Sequence, residues 1–301
     1  MELKKCAFTA IIGRPSVGKS TLLNKMCGEK VAIVSTVPQT TRNAIRGIVN
    51  REQGQLIFVD TPGRHSSEKK MNKKLMEVSN RALTESDLVL YVMDASRAPG
   101  TEEEEIAVLL TPLTQKCVIA VNKIDAKDAD FNRSKEFILQ HLPLISEDNI
   151  FSICAKTGDG IDDLLLALYK MAPLGENLYD AEYYTDQDTE FRIAEIIREK
   201  AINRLRQELP HSLYVDIADM EFKEDEKTGT QLWVRAFIIV ERESQKGMVV
   251  GKGGEMIKAI RLSALKDLKR IFDWKIDLDL RVKTGKDWRQ KDHTLKRIID
   301  R

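Results

Sequence analysis

Residues 13–20, GRPSVGKS, constrain this chain more than any other stretch because they match the pattern G-x-x-x-x-G-K-S. An apolar run at residues 6–12 precedes them and a helix-forming segment follows, which predicts the order strand, loop, helix. Glycines let such a loop curl so that backbone N–H groups point inward, and the helix N-terminus adds its dipole. We therefore predict a polyphosphate site, formed by Gly13, Arg14, Pro15, Ser16, Val17, Gly18, Lys19, Ser20 and Thr21.

Two side chains of this loop have predicted roles toward the phosphates. The Lys19 amine would reach the β and γ oxygens, and the Ser20 hydroxyl would bind Mg²⁺. The polar segment at residues 30–44 contains Thr40 and Thr41, and a threonine there would complete the magnesium shell. A plain surface loop is the alternative for this pair.

The segment DTPG follows the apolar strand predicted at residues 55–59. An aspartate at such a strand end, about forty residues after a phosphate loop, would hold Mg²⁺ through water, and the backbone N–H of the glycine would meet the γ-phosphate. Residues 64–73 are polar and are interpreted either as a switch that orders with a triphosphate or as a solvated loop. The predicted nucleotide contacts here are Asp60, Thr61, Pro62 and Gly63.

Residues 122–125, NKID, predict the choice of base. The Asp125 carboxylate would accept hydrogen bonds from the N1–H and exocyclic amine of guanine, whereas adenine would leave the carboxylate unpaired. Asn122 would join this loop to the phosphate loop, and the Lys123 stem would cover the base. A later loop, CAKTG, would add a contact from the backbone N–H of Ala155 to guanine O6, with Cys154 and Lys156 beside it.

The distribution of apolar runs predicts the fold class. Runs at residues 6–12, 55–59, 87–93, 117–121 and 149–153 alternate with helical patterns, which is typical of a doubly wound α/β sheet with its ligand beyond the carboxyl ends of the strands. We predict a nucleotide-binding domain at residues 1–172, a linker at 173–187 and a second, smaller α+β domain at 188–301.

Composition limits the other possibilities. The four cysteines lack metal-ligand spacing and indicate a reduced, cytosolic protein, and no apolar run is long enough to cross a membrane. The net charge of the whole chain is +1, but residues 242–301 carry 17 basic and 9 acidic residues, a net charge of +8. This excess predicts a polyanionic partner, with an ordinary solvated surface as the alternative.

The second domain shows the order helix, strand, strand, helix, strand, with GKGG at residues 251–254 between helical segments. This is the pattern of a KH domain of type II, in which a G-x-x-G loop lets the backbone of single-stranded RNA approach closely. Another nucleotide loop is the alternative, although the Lys-Ser ending is missing. The predicted RNA contacts are Gly251, Lys252, Gly253, Gly254 and Lys258.

Over nearly its full length the chain resembles bacterial Era-family GTPases. The resemblance rests on the phosphate loop, PQTTR at residues 38–42, DTPG, NKID, AEIIREK at residues 194–200, ELP at 208–210, VER at 240–242, SQK at 244–246 and the GKGG loop. It implies Mg²⁺-dependent GTP hydrolysis, with Thr41 as a magnesium ligand in the GTP state and Lys19, Thr41 and Gly63 as catalytic residues. Because no side chain in the sequence is an obvious general base, we expect this hydrolysis to be slow. The resemblance also implies binding to the 3′ end of small-subunit ribosomal RNA, assistance to 30S assembly, and a cytoplasmic monomer with some peripheral membrane contact.

Two positions depart from the family pattern. The family loop has Asn where this chain has Ser16, and in related GTPases that Asn helps to hold K⁺, so potassium dependence stays open. Arg64 replaces a residue that is usually apolar. Its side chain is interpreted either as a cation that acts in cis near the γ-phosphate or as a solvent-facing arginine.

An RNA-binding protein with a structural nucleotide site is the main alternative function. A metabolic kinase is disfavoured by NKID and by the lack of an acceptor site.

Overall fold

The computed structural model describes residues 3–35, 37, 40–63, 70–205, 209–225 and 229–299 of the chain. Contacts divide it into one compact unit, Met1–Val34 with Pro38–Asp186, and a second that consists mainly of Gln187–Arg301. Most of the predicted switch segment, including Arg64, and the residues Pro38 and Gln39 lie outside the described residues. Within the described residues, no helix combines the length and apolar character needed to cross a bilayer.

The first unit contains a mixed sheet with the strand order β2-β3-β1-β4-β5-β6. Strands β2 and β3 are antiparallel, the other pairs along this path are parallel, and a short strand β7 pairs antiparallel with the start of β1. The strands are β1 (Lys4–Ile12), β2 (Ile45–Arg51), β3 (Gly54–Asp60), β4 (Leu88–Asp94), β5 (Cys117–Asn122), β6 (Ile150–Ser152) and β7 (Leu174–Gly175).

Helices alternate with these strands, and the predicted α/β class is confirmed. They are α1 (Lys19–Cys27), α2 (Lys70–Glu85), α3 (Thr101–Leu110), α4 (Phe131–His141) and α5 (Ile161–Met171). Every residue of β3, β4 and β5 is buried, as continuous apolar runs in a covered parallel sheet require. Because parallel strands share one carboxyl edge, the loops after β1, β3 and β5 meet there.

Two strands were not predicted. Strand β2, IRGIVNR, mixes polar and apolar residues because it is an antiparallel strand at the end of the sheet path. Strand β7 is only two residues long and lies within the segment predicted as a linker.

That linker segment lies along the first unit. The fully buried Gln55 side chain accepts hydrogen bonds from the backbone N–H groups of Leu178 and Tyr179, at 2.9 and 3.1 Å, and donates to the Tyr179 carbonyl at 2.8 Å. Further along, the Ile48 N–H donates to the Tyr184 carbonyl at 2.9 Å. Residues 173–186 therefore form a strap that follows β3 and β2.

The second unit packs helices against a three-stranded sheet with the order β10-β9-β8. Its elements are α6 (Thr189–Arg204), β8 (Leu213–Asp225), β9 (Gly229–Val240), α7 (Glu243–Val250), α8 (Glu255–Ile271), β10 (Lys275–Thr284) and α9 (Asp292–Ile299). The side chain of Asp188 caps α6 by accepting from the Phe191 N–H at 2.6 Å. The order of elements agrees with the KH pattern, and α7 and α8 are the helical segments predicted on either side of GKGG, but β8 is longer than expected.

Candidate functional site

The phosphate loop joins β1 to α1, and crowding explains its two glycines. A Cβ on Gly13 would lie 2.4 Å from the Val92 carbonyl oxygen, and one on Gly18 would lie 2.4 Å from Nδ2 of Asn122. Gly18 also has a φ of 103°, and Ser16 adopts a left-handed φ of 65° that residues other than glycine rarely take. The loop is thus fixed tightly against the ends of β4 and β5.

Lys19 lies at the start of α1 with its amine buried in this loop. Its Nζ donates to the carbonyl oxygens of Gly13 and Arg14 at 2.9 and 3.0 Å. Burial lowers the pKa of Lys19 to about 8, and the nearby Asp60 carboxylate partly opposes that shift. Among the described residues Lys19 has no direct ion pair, and a bound polyphosphate would supply one.

Three oxygen-bearing side chains converge beside Lys19. The Ser20 hydroxyl donates to Oδ2 of Asp60 at 2.6 Å and lies 3.1 Å from the Thr41 hydroxyl. Asp60 is fully buried, and this burial raises its pKa against the opposing effects of Lys19 and the two hydroxyls. Its Oδ1 atom is buried without a hydrogen-bond partner among the described residues. A set of hydroxyl and carboxylate oxygens with one unsatisfied carboxylate oxygen fits Mg²⁺.

The DTPG turn is anchored on both sides. The Thr61 hydroxyl donates to the Ile11 carbonyl at 2.8 Å, and the Ser79 hydroxyl donates to the Pro62 carbonyl at 2.9 Å. A Cβ on Gly63 would lie 2.9 Å from the backbone of Pro15, so the turn rests directly on the phosphate loop. The Gly63 backbone is therefore close to where the terminal phosphate would bind.

Asn122 joins the NKID loop to two other loops. Its Nδ2 donates to the Val17 carbonyl at 2.8 Å, and its Oδ1 accepts from the Ala155 N–H at 2.9 Å. The second of these bonds occupies the Ala155 N–H in this structure, and the contact of that N–H with guanine O6 stays a prediction.

Lys123 provides a second link to the phosphate loop. Its Nζ donates to the Ser16 carbonyl and to Oδ2 of Asp94, both at 2.7 Å. Burial opposes ionisation of Asp94, but hydrogen bonds from Lys123 and Ser96 outweigh it and lower the pKa of Asp94 below its usual value. Asp94 was not predicted as a site residue. Its position directly after the strand predicted at residues 87–93 could have identified it, because the other site residues also follow predicted strands.

The base-recognition residues are accessible. Asp125 and Lys156 are exposed, whereas Cys154 is buried and its backbone carbonyl accepts from the Gly158 N–H at 2.8 Å. The structure thus brings the NKID and CAKTG loops to the same edge as the phosphate loop, with the Asp125 carboxylate open to a ligand.

The Arg14 side chain forms an ion pair with α3, and the nucleotide contact of Arg14 stays a prediction. Its Nε lies 2.7 Å from Oε1 of Glu103 on α3, and both side chains are largely buried. Glu103 was missed because it stands in the run TEEEE, which gives no sign of which glutamate faces inward.

The KH loop connects α7 to α8. Gly251, Gly253 and Gly254 all have left-handed φ values, of 76°, 60° and 82°. A Cβ on Gly251 would lie 2.7 Å from the Met256 Cβ, whereas nothing lies within 4 Å at the other two glycines. Lys252 and Lys258 are exposed. This arrangement leaves an open backbone surface with two cations beside it, as the approach of a nucleic-acid backbone requires.

Comparison with known proteins finds related families for both the nucleotide-binding region and the KH region. A family model described as 50S ribosome-binding GTPase matches residues 8–123, and a KH domain model matches residues 208–289. A GTPase Era from Treponema denticola is 52% identical over 288 residues, which cover 96% of this chain and 97% of that protein. This chain belongs to the Era family of GTPases. The resemblance predicted from the sequence is confirmed.

Other Era proteins extend the match. The GTPase Era of Borreliella burgdorferi is 44% identical over 98% of this chain and 100% of its own length. Two crystal structures, each 33% identical and covering 98% of both chains, have TM-scores of 0.90 and 0.91. The first is an Aquifex aeolicus Era variant bound to GDP·AlF₄⁻, and the second is Era in complex with MgGDPNP and nucleotides 1506–1542 of 16S ribosomal RNA.

Proposed function

We propose that this chain is a GTP-binding and slowly GTP-hydrolysing switch that binds the 3′ end of small-subunit ribosomal RNA through its KH domain. In this role it assists assembly of the 30S subunit. The observation that carries the nucleotide assignment is Asn122, which connects the phosphate loop at Val17 with the base-recognition loop at Ala155. One side chain thereby fixes the spacing between the phosphate and guanine subsites.

The loop residues would stabilise the charge that develops during hydrolysis. Lys19 and the backbone N–H groups of the loop would face the region of the β–γ bridge, where negative charge accumulates as the phosphoryl bond breaks. The Gly63 N–H would contact the γ-phosphate from the opposite side. Bound at Ser20, Thr41 and, through water, Asp60, Mg²⁺ would supply further positive charge to the phosphate oxygens. Ras-like enzymes orient water with a glutamine after the DxxG glycine, and Arg64 takes that place here, which is why we expect slow turnover.

The KH loop supports the RNA assignment. Its glycines leave the backbone accessible, and Lys252 and Lys258 are exposed beside it. A relative, 33% identical over 98% of the chain, binds 16S ribosomal RNA nucleotides 1506–1542 together with MgGDPNP. We therefore assign to this chain the same class of ligand, an unpaired segment at the RNA 3′ end.

The strap gives a route by which nucleotide state would influence RNA binding. Strand β2 begins four residues after Thr41, and Ile45 pairs with Asp60 across the sheet. The Thr185 hydroxyl donates to the Arg46 carbonyl at 2.8 Å, close to the end of the strap. A shift of Thr41 that accompanies loss of the γ-phosphate would therefore reach, through β2, the chain that leads into the second unit.

We further propose a cytoplasmic monomer with peripheral contact to the membrane, as the family resemblance implies.

Multiple-turnover hydrolysis tests the enzymatic part of the proposal. The chain is expected to release phosphate from GTP, and not from ATP, in a Mg²⁺-dependent reaction. Asp125→Asn should shift base preference from guanine to xanthine nucleotides, because the carboxamide can donate to the xanthine 2-oxo group. Asp128→Asn, at an exposed position of the same region, is the matched control and should behave as the unmodified protein. Unchanged GTP affinity in Asp125→Asn would contradict the base assignment.

An RNA-binding protein with a purely structural nucleotide site is the alternative. The buried Oδ1 of Asp60, which has no partner among the described residues, points to a cation bound with the nucleotide in either case, so turnover decides between the two functions. A protein that binds GTP but releases no phosphate beyond a single turnover would favour this alternative.

A further inference from the structure

We infer that Glu103 on α3 is a positioning residue for the phosphate loop and acts through Arg14. This inference rests on the proposed function, since it concerns the binding of guanosine nucleotides at the same loop. Glu103 is outside every motif from which the site was predicted.

The carboxylate of Glu103 forms two sets of contacts. Its Oε1 lies 2.7 Å from Nε of Arg14, and its Oε2 accepts a longer bond of 3.4 Å from Nη1 of the same guanidinium group. The Oε2 atom also accepts from the Gly100 N–H at 3.0 Å, just before α3 begins. One carboxylate thus fastens the second residue of the phosphate loop to the start of α3.

The surroundings make this contact strong. The Glu103 side chain is 3% exposed and the Arg14 side chain 12% exposed, so water screens the ion pair poorly. Tyr91 of β4 is buried nearby, and burial together with the charge of Glu103 raises the pKa of its hydroxyl. That hydroxyl has no hydrogen-bond partner among the described residues, so it offers Glu103 no alternative bond in this structure.

The contacts of the loop explain why the Arg14–Glu103 ion pair would affect nucleotide binding. The Arg14 carbonyl accepts from Lys19 Nζ, which is the group expected to meet the β and γ oxygens. On the other side of the loop, the Ser16 and Val17 carbonyls accept from Lys123 and Asn122. The loop is therefore held at Ser16 and Val17 by residues of the NKID motif and at Arg14 by Glu103.

A purely structural ion pair would stabilise α3 without affecting the nucleotide, and this difference can be measured. In Glu103→Gln the Arg14 cation stays buried without its counter-ion, which would displace the loop. Misplacement of reacting groups by about 1 Å lowers a reaction rate by about 100-fold, and we take this as the upper limit for the change in GDP release. Glu104→Gln is the matched control, because it removes the same charge from the exposed neighbouring position.

The test is the rate at which a fluorescent GDP derivative dissociates from the full chain. We expect Glu103→Gln to release GDP about 10- to 100-fold faster than the unmodified protein, and Glu104→Gln to release it at the unmodified rate. The double variant Arg14→Met with Glu103→Met removes both buried charges, so it should recover thermal stability while still releasing GDP rapidly. This variant also keeps the test valid if Glu103→Gln folds poorly.

Two results would overturn the inference alone. In the first, Glu103→Gln releases GDP at the unmodified rate. In the second, the double variant recovers both stability and slow release, which would make the pair merely structural. If the unmodified chain binds no guanosine nucleotide, the proposed function fails and the inference fails with it.

Discussion

Asn122 and Val17 are separated by 105 residues in the chain, yet the Asn122 amide donates to the Val17 carbonyl at 2.8 Å. The amide oxygen of Asn122 also accepts from the Ala155 N–H, so one buried side chain joins three loops. The base subsite and the phosphate subsite are consequently parts of one rigid arrangement.

Replacement of Asn122 by Ala should weaken GDP and GTP binding together. The Val17 carbonyl and Ala155 N–H would lose their partner in a buried site, a loss of about 1–3 kcal/mol, or about 5- to 150-fold in affinity. Titration with fluorescent nucleotides measures this change. Asn132→Ala, at an exposed position on α4, is the control and should leave both affinities unchanged. Wild-type affinity in Asn122→Ala would contradict the bridging role.

The pH dependence of nucleotide binding should report on Lys19. In the nucleotide-free protein its pKa is lowered to about 8 from 10.5, so between these values the unfolded chain binds more protons than the folded one. The free energy of unfolding of the nucleotide-free protein should therefore rise as pH increases through this window.

The affinity for GDP should change with pH in the opposite direction to the free energy of unfolding. Phosphate oxygens restore the charge of Lys19, so GDP binding takes up a proton above pH 8, and affinity should fall by up to about tenfold per pH unit. Calorimetry in buffers of different ionisation enthalpy measures this proton uptake directly. The Lys19→Met variant should show neither slope, and a pH-independent affinity in the unmodified protein would contradict the assignment of Lys19 to the phosphates.

The strap depends on Gln55, and its replacement should loosen residues 173–186. Gln55→Leu removes the partners of the Leu178 and Tyr179 N–H groups and should destabilise the first unit by about 1–3 kcal/mol. Urea unfolding measures the loss, and hydrogen exchange should become faster at these two amides. Gln53→Leu changes an exposed residue nearby and should leave both measurements unaltered. Unchanged exchange in Gln55→Leu would show that the strap is held by other contacts.

The lysines of the KH loop should contribute electrostatic affinity for RNA. Single replacements Lys252→Ala and Lys258→Ala should weaken binding of a single-stranded oligonucleotide and reduce the slope of log affinity against log salt by about 0.7 each. Lys269→Ala, exposed near the end of α8, is the matched control. If the control lowers RNA affinity as much as the loop variants do, the affinity depends on the total positive charge of the domain and not on the position of the two loop lysines.

The sequence predicted the parts of this molecule that local pattern determines. The loop at Lys19 and the strand before Asp60 follow from glycine spacing and apolar runs, which act over a few residues. The strap could not be predicted, because residues 173–186 have the composition of a linker and their order depends on a distant buried side chain, Gln55. Glu103 was missed for a related reason: four consecutive glutamates look alike until the fold selects one.

We propose that this chain couples the state of a guanosine nucleotide to the binding of ribosomal RNA. This coupling is tested most directly by titrating a labelled single-stranded oligonucleotide from the 3′ end of small-subunit ribosomal RNA with the protein, loaded either with GDP or with a non-hydrolysable GTP analogue. We predict affinities that differ at least about fivefold, as a coupling free energy of 1 kcal/mol or more requires. Equal affinities in the two states would contradict the account.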